Sequence, residues 1–124
     1  MSVALSIRQP WTELILRGRK TIEVRGWTTR HRGELWLHAA TRKDIHVLNR
    51  FNLAADDLTF GALVGVCELY DCIEFTDDTW ERWRIQHLNE GPLEKRYYAW
   101  LLRSPTRIKP KPLKGRLGLM RIGD

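Results

Sequence analysis

The stretch Gly61-Ala62-Leu63-Val64-Gly65-Val66-Cys67-Glu68-Leu69-Tyr70-Asp71-Cys72-Ile73 limits the fold more than any other. It is the longest strand signal in the chain. Its first half is apolar almost throughout and its second half alternates, the pattern of a central strand that twists out towards an edge. Gly65 marks a bulge or a close backbone approach. A central strand needs neighbours, and the sequence offers several. Val3 to Ile7 is a short apolar strand. The β-branched run Thr21, Ile22 and Val24 predicts another, ending near Arg25. Glu34 to Ala40, Tyr97 to Leu102 and Leu117 to Ile122 complete the set.

Helices fill the gaps. Pro10 suits the first turn of a helix because its missing N–H would be unpaired there. Leu14, Ile15 and Leu16 give that helix an apolar face, and Gly18 closes it. Thr41 reads as the cap of a second helix, with Asp44 as its capping-box partner. Asp77 or Asp78 caps a third, where Trp80, Trp83, His87 and Leu88 share one side, and Gly91-Pro92 ends it. Lys109-Pro110-Lys111-Pro112 reads as a stiff extended connection. Strands outnumber helices without regular βαβ alternation. The expectation is an α+β fold, a curled mixed sheet or barrel with helices at its side. Length and the lack of a separating linker predict one domain over 1–124.

Charge bears on the partner. The formal net charge is +6, which favours anions. Its distribution is uneven. No Lys or Arg occurs from Ala54 to Glu81, where the acids concentrate, so the flanking parts would form one basic face if they meet in space. A mixed solvated surface is the alternative. Cys67 and Cys72 lie on opposite faces if they share a strand, which argues against a disulfide and for small core residues of a reducing compartment. No signal peptide and no apolar run of membrane-spanning length is present, so a cytoplasmic protein with no membrane partner is expected. His31, His46 and His87 lack metal-ligand spacing; neither a metal nor a cofactor is expected.

The stretch that carries chemistry is Gly18-Arg19-Lys20-Thr21-Ile22-Glu23-Val24-Arg25-Gly26-Trp27. On a strand, Thr21, Glu23 and Arg25 share one face and Ile22 and Val24 the other, with Lys20 at the strand mouth. Such a charged row is either a solvated ion-pair network or a site. As a site, Lys20 and Arg25 would hold a phosphate or a polarised carbonyl, and Glu23 would accept hydrogen bonds from a base or act as general base. Trp11 and Trp27 flank the row. Trp11, on a helix, reads first as core; Trp27, after Gly26 in a polar turn, reads as a stacking platform. His38 reads as a hydrogen-bonded core residue that could line a cleft. Lys109, Lys111, Lys114 and Arg116 are phosphate contacts or a solvated basic loop.

Gly18, Lys20, Glu23 and Arg25 complete the motif G-x-K-x-x-E-x-R, and on it the chain resembles the ASCH domain family of the PUA-like folds. Leu5 to Trp11, His31-Arg32-Gly33, Leu35 to Ala40, Gly61 to Cys72 and Pro112 to Gly115 with Gly118-Leu119 resemble the branch containing the ASCH domain of activating signal cointegrator. The resemblance implies a β-barrel with packed helices and a cleft walled by the motif. It also implies action on RNA, as binder or enzyme. Some small bacterial members resemble amidohydrolases of N4-acylated cytidine, with a Lys, Thr and Glu set. The Lys maps onto Lys20, but the Thr maps onto the position of Glu23. Thr21 stands two residues earlier, and Glu81 and Glu90 are both open as the third member. The leading expectation is a module for RNA or a modified nucleoside, DNA being a second choice, with Trp11, Lys20, Glu23, Arg25, Trp27, His38, Lys114 and Arg116 at the site. The alternative is a hydrolase, either an amidohydrolase or a ribonuclease, using Lys20 and Glu23. A protein-interaction module is the third reading.

Overall fold

A computed structural model describes residues 2–123. The chain runs β1 (Ser2–Gln9), α1 (Trp11–Leu16), β2 (Ile22–Arg25), β3 (Gly33–Lys43), α2 (Ile45–Arg50), β4 (Ala62–Glu74), α3 (Asp77–Arg82), α4 (Arg84–His87), β5 (Tyr98–Pro112) and β6 (Leu119–Ile122). One six-stranded sheet has the order β2-β5-β4-β3-β1-β6. β1 and β3 pair in parallel and every other pair is antiparallel. The fold is α+β as expected, and β4 is central.

The barrel does not close. β2 pairs only with β5 and β6 only with β1, so these two strands remain edges of an open sheet. Arg25 of β2 reaches β1 through its side chain alone, its Nη2 lying 3.4 Å from the Ser6 carbonyl.

One sheet face carries the main core. Leu5 and Ile7 of β1, Leu35 and Leu37 of β3, and Leu69 and Trp100 are all buried in it with Ile15 of α1. Gly65 sits where β4 meets both α1 and β5. A Cβ there would lie 2.3 Å from Leu16 Cδ2 and 2.7 Å from the Thr106 carbonyl oxygen. The pairing register also shifts between Leu63 and Gly65, so the glycine serves both a close approach and a bulge. A smaller core forms where Ile22 of β2 meets Phe75 and Trp80. Both thiols are free: Cys67 is buried in the main core, which pushes its pKa up to about 12, and Cys72 is half-buried beside it.

The structure departs from the local signals in four places. Thr41 does not cap α2, because β3 stays paired as far as Lys43; Asp44 is the cap and accepts from Val47 N at 3.1 Å. Thr76, not Asp77 or Asp78, caps α3, in a reciprocal capping box with Thr79. Pro10 stands at the N-cap of α1 rather than in its first turn, its carbonyl accepting from Leu14 N. The expected stiff connection at Lys109 to Pro112 belongs to β5. β2 covers that strand only from Tyr98 to Leu101, and the bare edge beyond tolerates prolines that cannot donate.

The opposite sheet face mixes apolar and polar side chains. By register, Ala4 and Ser6 of β1 share it with Trp36 and His38 of β3, Leu63 of β4 and Met120 of β6. The segment from Leu113 to Gly118, linking β5 to β6, crosses this face as a strap.

Candidate functional site

The open seam between β2 and β1 holds a cavity of about 890 Å³. Its floor is built from the end of α1 and the start of β2. Gly18 takes φ +76, a left-handed turn that glycine adopts without penalty, and the chain doubles back so that Lys20 N donates to the Leu14 carbonyl. This turn carries Lys20 inward, where it is 1% exposed. Lys20 does stand at the mouth of β2, two residues before its start, and is buried there. Lys20 Nζ donates to the His87 carbonyl at 2.6 Å, lies 3.6 Å from Glu23 Oε1 and stands 4.5 Å from the centre of the Trp11 ring. Glu23 is also buried, and its other oxygen accepts from Arg25 Nη1 at 3.0 Å. Lys20, Glu23 and Arg25 thus form one connected row.

Burial in low dielectric lowers the Lys20 pKa to about 8, against the opposing pull of the Glu23 carboxylate; the charges of Arg50 and Arg25 lower it further. The ammonium consequently gives up its proton far more readily than an exposed lysine. A carboxylate that can only accept hydrogen bonds lies beside it.

The strap forms the opposing wall. His38 is buried and lines the cavity; its Nε2 meets the Leu113 carbonyl at 2.5 Å and its Nδ1 meets Ser6 Oγ at 2.9 Å. A carbonyl only accepts, so Nε2 carries a proton, while Nδ1 is hydrogen-bonded to the Ser6 hydroxyl. His38 is therefore the pin that fastens the strap to the sheet. Gly115 rests on that pin so closely that a Cβ would lie 2.8 Å from His38 Cε1 and 2.9 Å from Ser6 Oγ. Lys114 and Arg116, on either side of this glycine, line the cavity.

The two flanking tryptophans exchange roles. Trp11, read first as core, lines the cavity while also packing on the core and on Phe51. Trp27, read as a platform, does not line the cavity. Its ring packs edge-on against Trp100 at 4.8 Å, and Trp100 Nε1 donates to the Trp27 carbonyl. Thr21 is likewise outside the lining. It precedes β2, and its backbone bonds to Gln86 and Leu102. Glu81 pairs with Arg84 and Glu90 with His46, and neither reaches the cavity.

Several lining residues were not anticipated. Arg8 continues the polar side of β1 two residues beyond Ser6, a signal that strand alternation contains. Arg42 and Asp44 arrive because β3 runs longer than its apolar pattern. Asn89 comes from the turn after α4, and no local pattern marks it. Together the lining holds six cations, Arg8, Lys20, Arg25, Arg42, Lys114 and Arg116, against the carboxylates of Glu23 and Asp44. None of the acids between Ala54 and Glu81 lines it. β1 pairs with β6, so the basic flanks of the chain do meet here. Among the described residues no group of three or more His, Cys, Asp or Glu side chains is arranged to hold a metal ion, and no helix is long and apolar enough to cross a membrane.

Comparison with known proteins agrees with this architecture. Activating signal cointegrator 1 of Homo sapiens is 29% identical over 124 residues, covering 90% of this chain and 20% of that protein. The Mus musculus protein of the same name is 35% identical over 81 residues, covering 56% of this chain and 14% of its own length. This chain thus spans at most about a fifth of these relatives. The crystal structure of ASCH from Zymomonas mobilis superposes with a TM-score of 0.73 at 16% identity, covering 98% of this chain and 87% of the other. A point mutant of that protein gives 0.68, also at 16% identity, with 98% and 88% covered. At that identity the solved structures bear on the fold alone. The ASCH domain model matches residues 5–112. The chain belongs to the ASCH domain family.

Proposed function

We propose that this chain binds single-stranded RNA and receives one nucleotide in the cavity between β2, β1 and the strap. The observation that carries the reading is the set of six cations lining a concave site whose floor holds a buried carboxylate and whose wall includes an indole ring. Phosphates are held by exposed Arg and Lys, which supply affinity without reading sequence. Glu23 accepts from the amino or imino edge of a base, and Trp11 offers it an aromatic surface. Open single strands suit such a site better than a duplex, because an unstacked base can enter a cavity.

Fluorescence anisotropy with a labelled RNA oligomer tests the reading. Affinity falls steeply with added salt, and Arg25→Ala weakens binding at every salt concentration. A DNA oligomer of the same sequence separates the two sugars. Absence of binding to either at low salt overturns the proposal.

A second reading draws on Lys20 specifically. A lysine with a pKa of about 8 beside a carboxylate is poised for proton transfer near neutrality. It favours a hydrolase acting on N4-acylated cytidine or on RNA itself. Incubation with N4-acetylcytidine must release cytidine, and Lys20→Ala must abolish the release; RNA cleavage lost in the same variant supports the ribonuclease form.

A further inference from the structure

The strap separates the large cavity from a second one of about 340 Å³ on its other side. The floor of this smaller hollow is apolar: Leu63 and Met120 are buried there with Ala4, and Leu113 and Ile122 pack against them. Its rim is cationic, formed by Lys111 of β5, Arg121 of β6, and Lys114 and Arg116 of the strap. All four cations are exposed, and among the described residues none is paired with a carboxylate. Lys114 and Arg116 therefore line both cavities. Both hollows flank the same strap, on the sheet face that carries Ser6, His38, Leu63 and Met120.

An apolar floor ringed by exposed cations asks for a ligand with an apolar flat body and an anionic edge. A nucleotide has both. The shared pair of cations makes the two cavities consecutive stations rather than separate sites. We propose that the second cavity takes the nucleotide adjoining the one in the first, with the intervening phosphate crossing the strap between Lys114 and Arg116. The base lies on Leu63, Leu113, Met120 and Ile122, and Lys111 and Arg121 hold the next phosphate. This rests on the RNA-binding reading and adds a minimum ligand length of two nucleotides. The pin at His38 and the tight seat of Gly115 keep the ridge between the stations at fixed height.

Binding by the wild-type chain and by the double variant Lys111→Ala/Arg121→Ala is measured with a mononucleotide, a dinucleotide carrying a 5′-phosphate, the same dinucleotide lacking either base, and a ten-nucleotide RNA. Both replaced side chains are exposed and neither touches the first cavity. The double variant is expected to bind the ten-nucleotide RNA about tenfold more weakly and to lose about 0.7 from the slope of log affinity against log salt, the share of the one single-strand phosphate the pair holds. Its affinity for the mononucleotide is unchanged. For the wild type, adding a second nucleotide raises affinity, and removing one base of the dinucleotide loses roughly tenfold, the low end of what one stacked or buried base contributes. If the oligomer binds the wild type but the double variant keeps the full slope, or if the second base adds nothing, the second station is wrong and the first stands. If no RNA binds the wild type, both fall.

Discussion

Lys20 and Lys114 both present an ammonium group to one cavity, and their surroundings are opposite. Lys20 is 1% exposed, held by a carbonyl, a carboxylate and an indole face. Lys114 is exposed on the strap, with no carboxylate partner among the described residues. The first has exchanged water for fixed partners, so its protonation depends on the fold. The second keeps its water and acts through the charge it adds to the surface. In one basic site, then, the floor sets chemistry and orientation, while the rim sets long-range attraction.

The largest effect that would break this contrast comes from Glu23. Glu23→Ala leaves Lys20 and Arg25 without their shared carboxylate, and removing one partner of a buried ion pair costs about 3 kcal/mol. Urea denaturation at neutral pH measures it; a loss below about 1 kcal/mol would mean that the floor is as solvated as the rim. Next comes the seat of the strap. Gly115→Ala pushes a methyl group into His38 and Ser6, which are bonded to each other and cannot both retreat, at a cost of about 1–3 kcal/mol. Retained stability together with retained RNA affinity would show that the strap is not pinned as described.

The pH dependence of stability sharpens the contrast further. The Lys20 pKa is about 8 in the folded chain, against roughly 10.4 when unfolded. Between those values the unfolded state holds a proton that the native state has lost, so this group makes stability rise with pH. Below about pH 8 both states are protonated and the penalty of burying the ammonium is constant. The stability difference between wild type and Lys20→Met is therefore expected to shift in favour of the wild type from about pH 8 to pH 10. A flat difference would place Lys20 in contact with water. The smallest effect belongs to the rim. Lys114→Ala changes stability by no more than about 0.5 kcal/mol, yet lowers the salt slope of RNA binding by about 0.7.

Much of the sheet was legible from period and composition. β4 is long, apolar and central, as its sequence pattern requires, and Gly65 lies at a close approach because no larger residue fits between Leu16 and Thr106. Local cap signals were less reliable: Asp44 displaced Thr41 because sheet pairing extended β3, and Thr76 prevailed over its acidic neighbours through a reciprocal bond with Thr79. The charged row was visible as spacing on a strand. Its depth was not, since the Gly18 turn that folds Lys20 beneath Trp11 draws on contacts with Leu14 and His87, remote from the strand itself.

By itself, the order of residues determined which side chains share a strand face, where the charges gather along the chain and that Lys20, Glu23 and Arg25 travel together. Those are consequences of backbone geometry and need no distant partner. Whether the sheet closes, which tryptophan faces the cavity and how far Lys20 sinks were decided only in three dimensions. Each depends on segments far apart in the chain meeting: β2 failing to reach β6, Trp27 finding Trp100, and His87 offering its carbonyl to a buried ammonium.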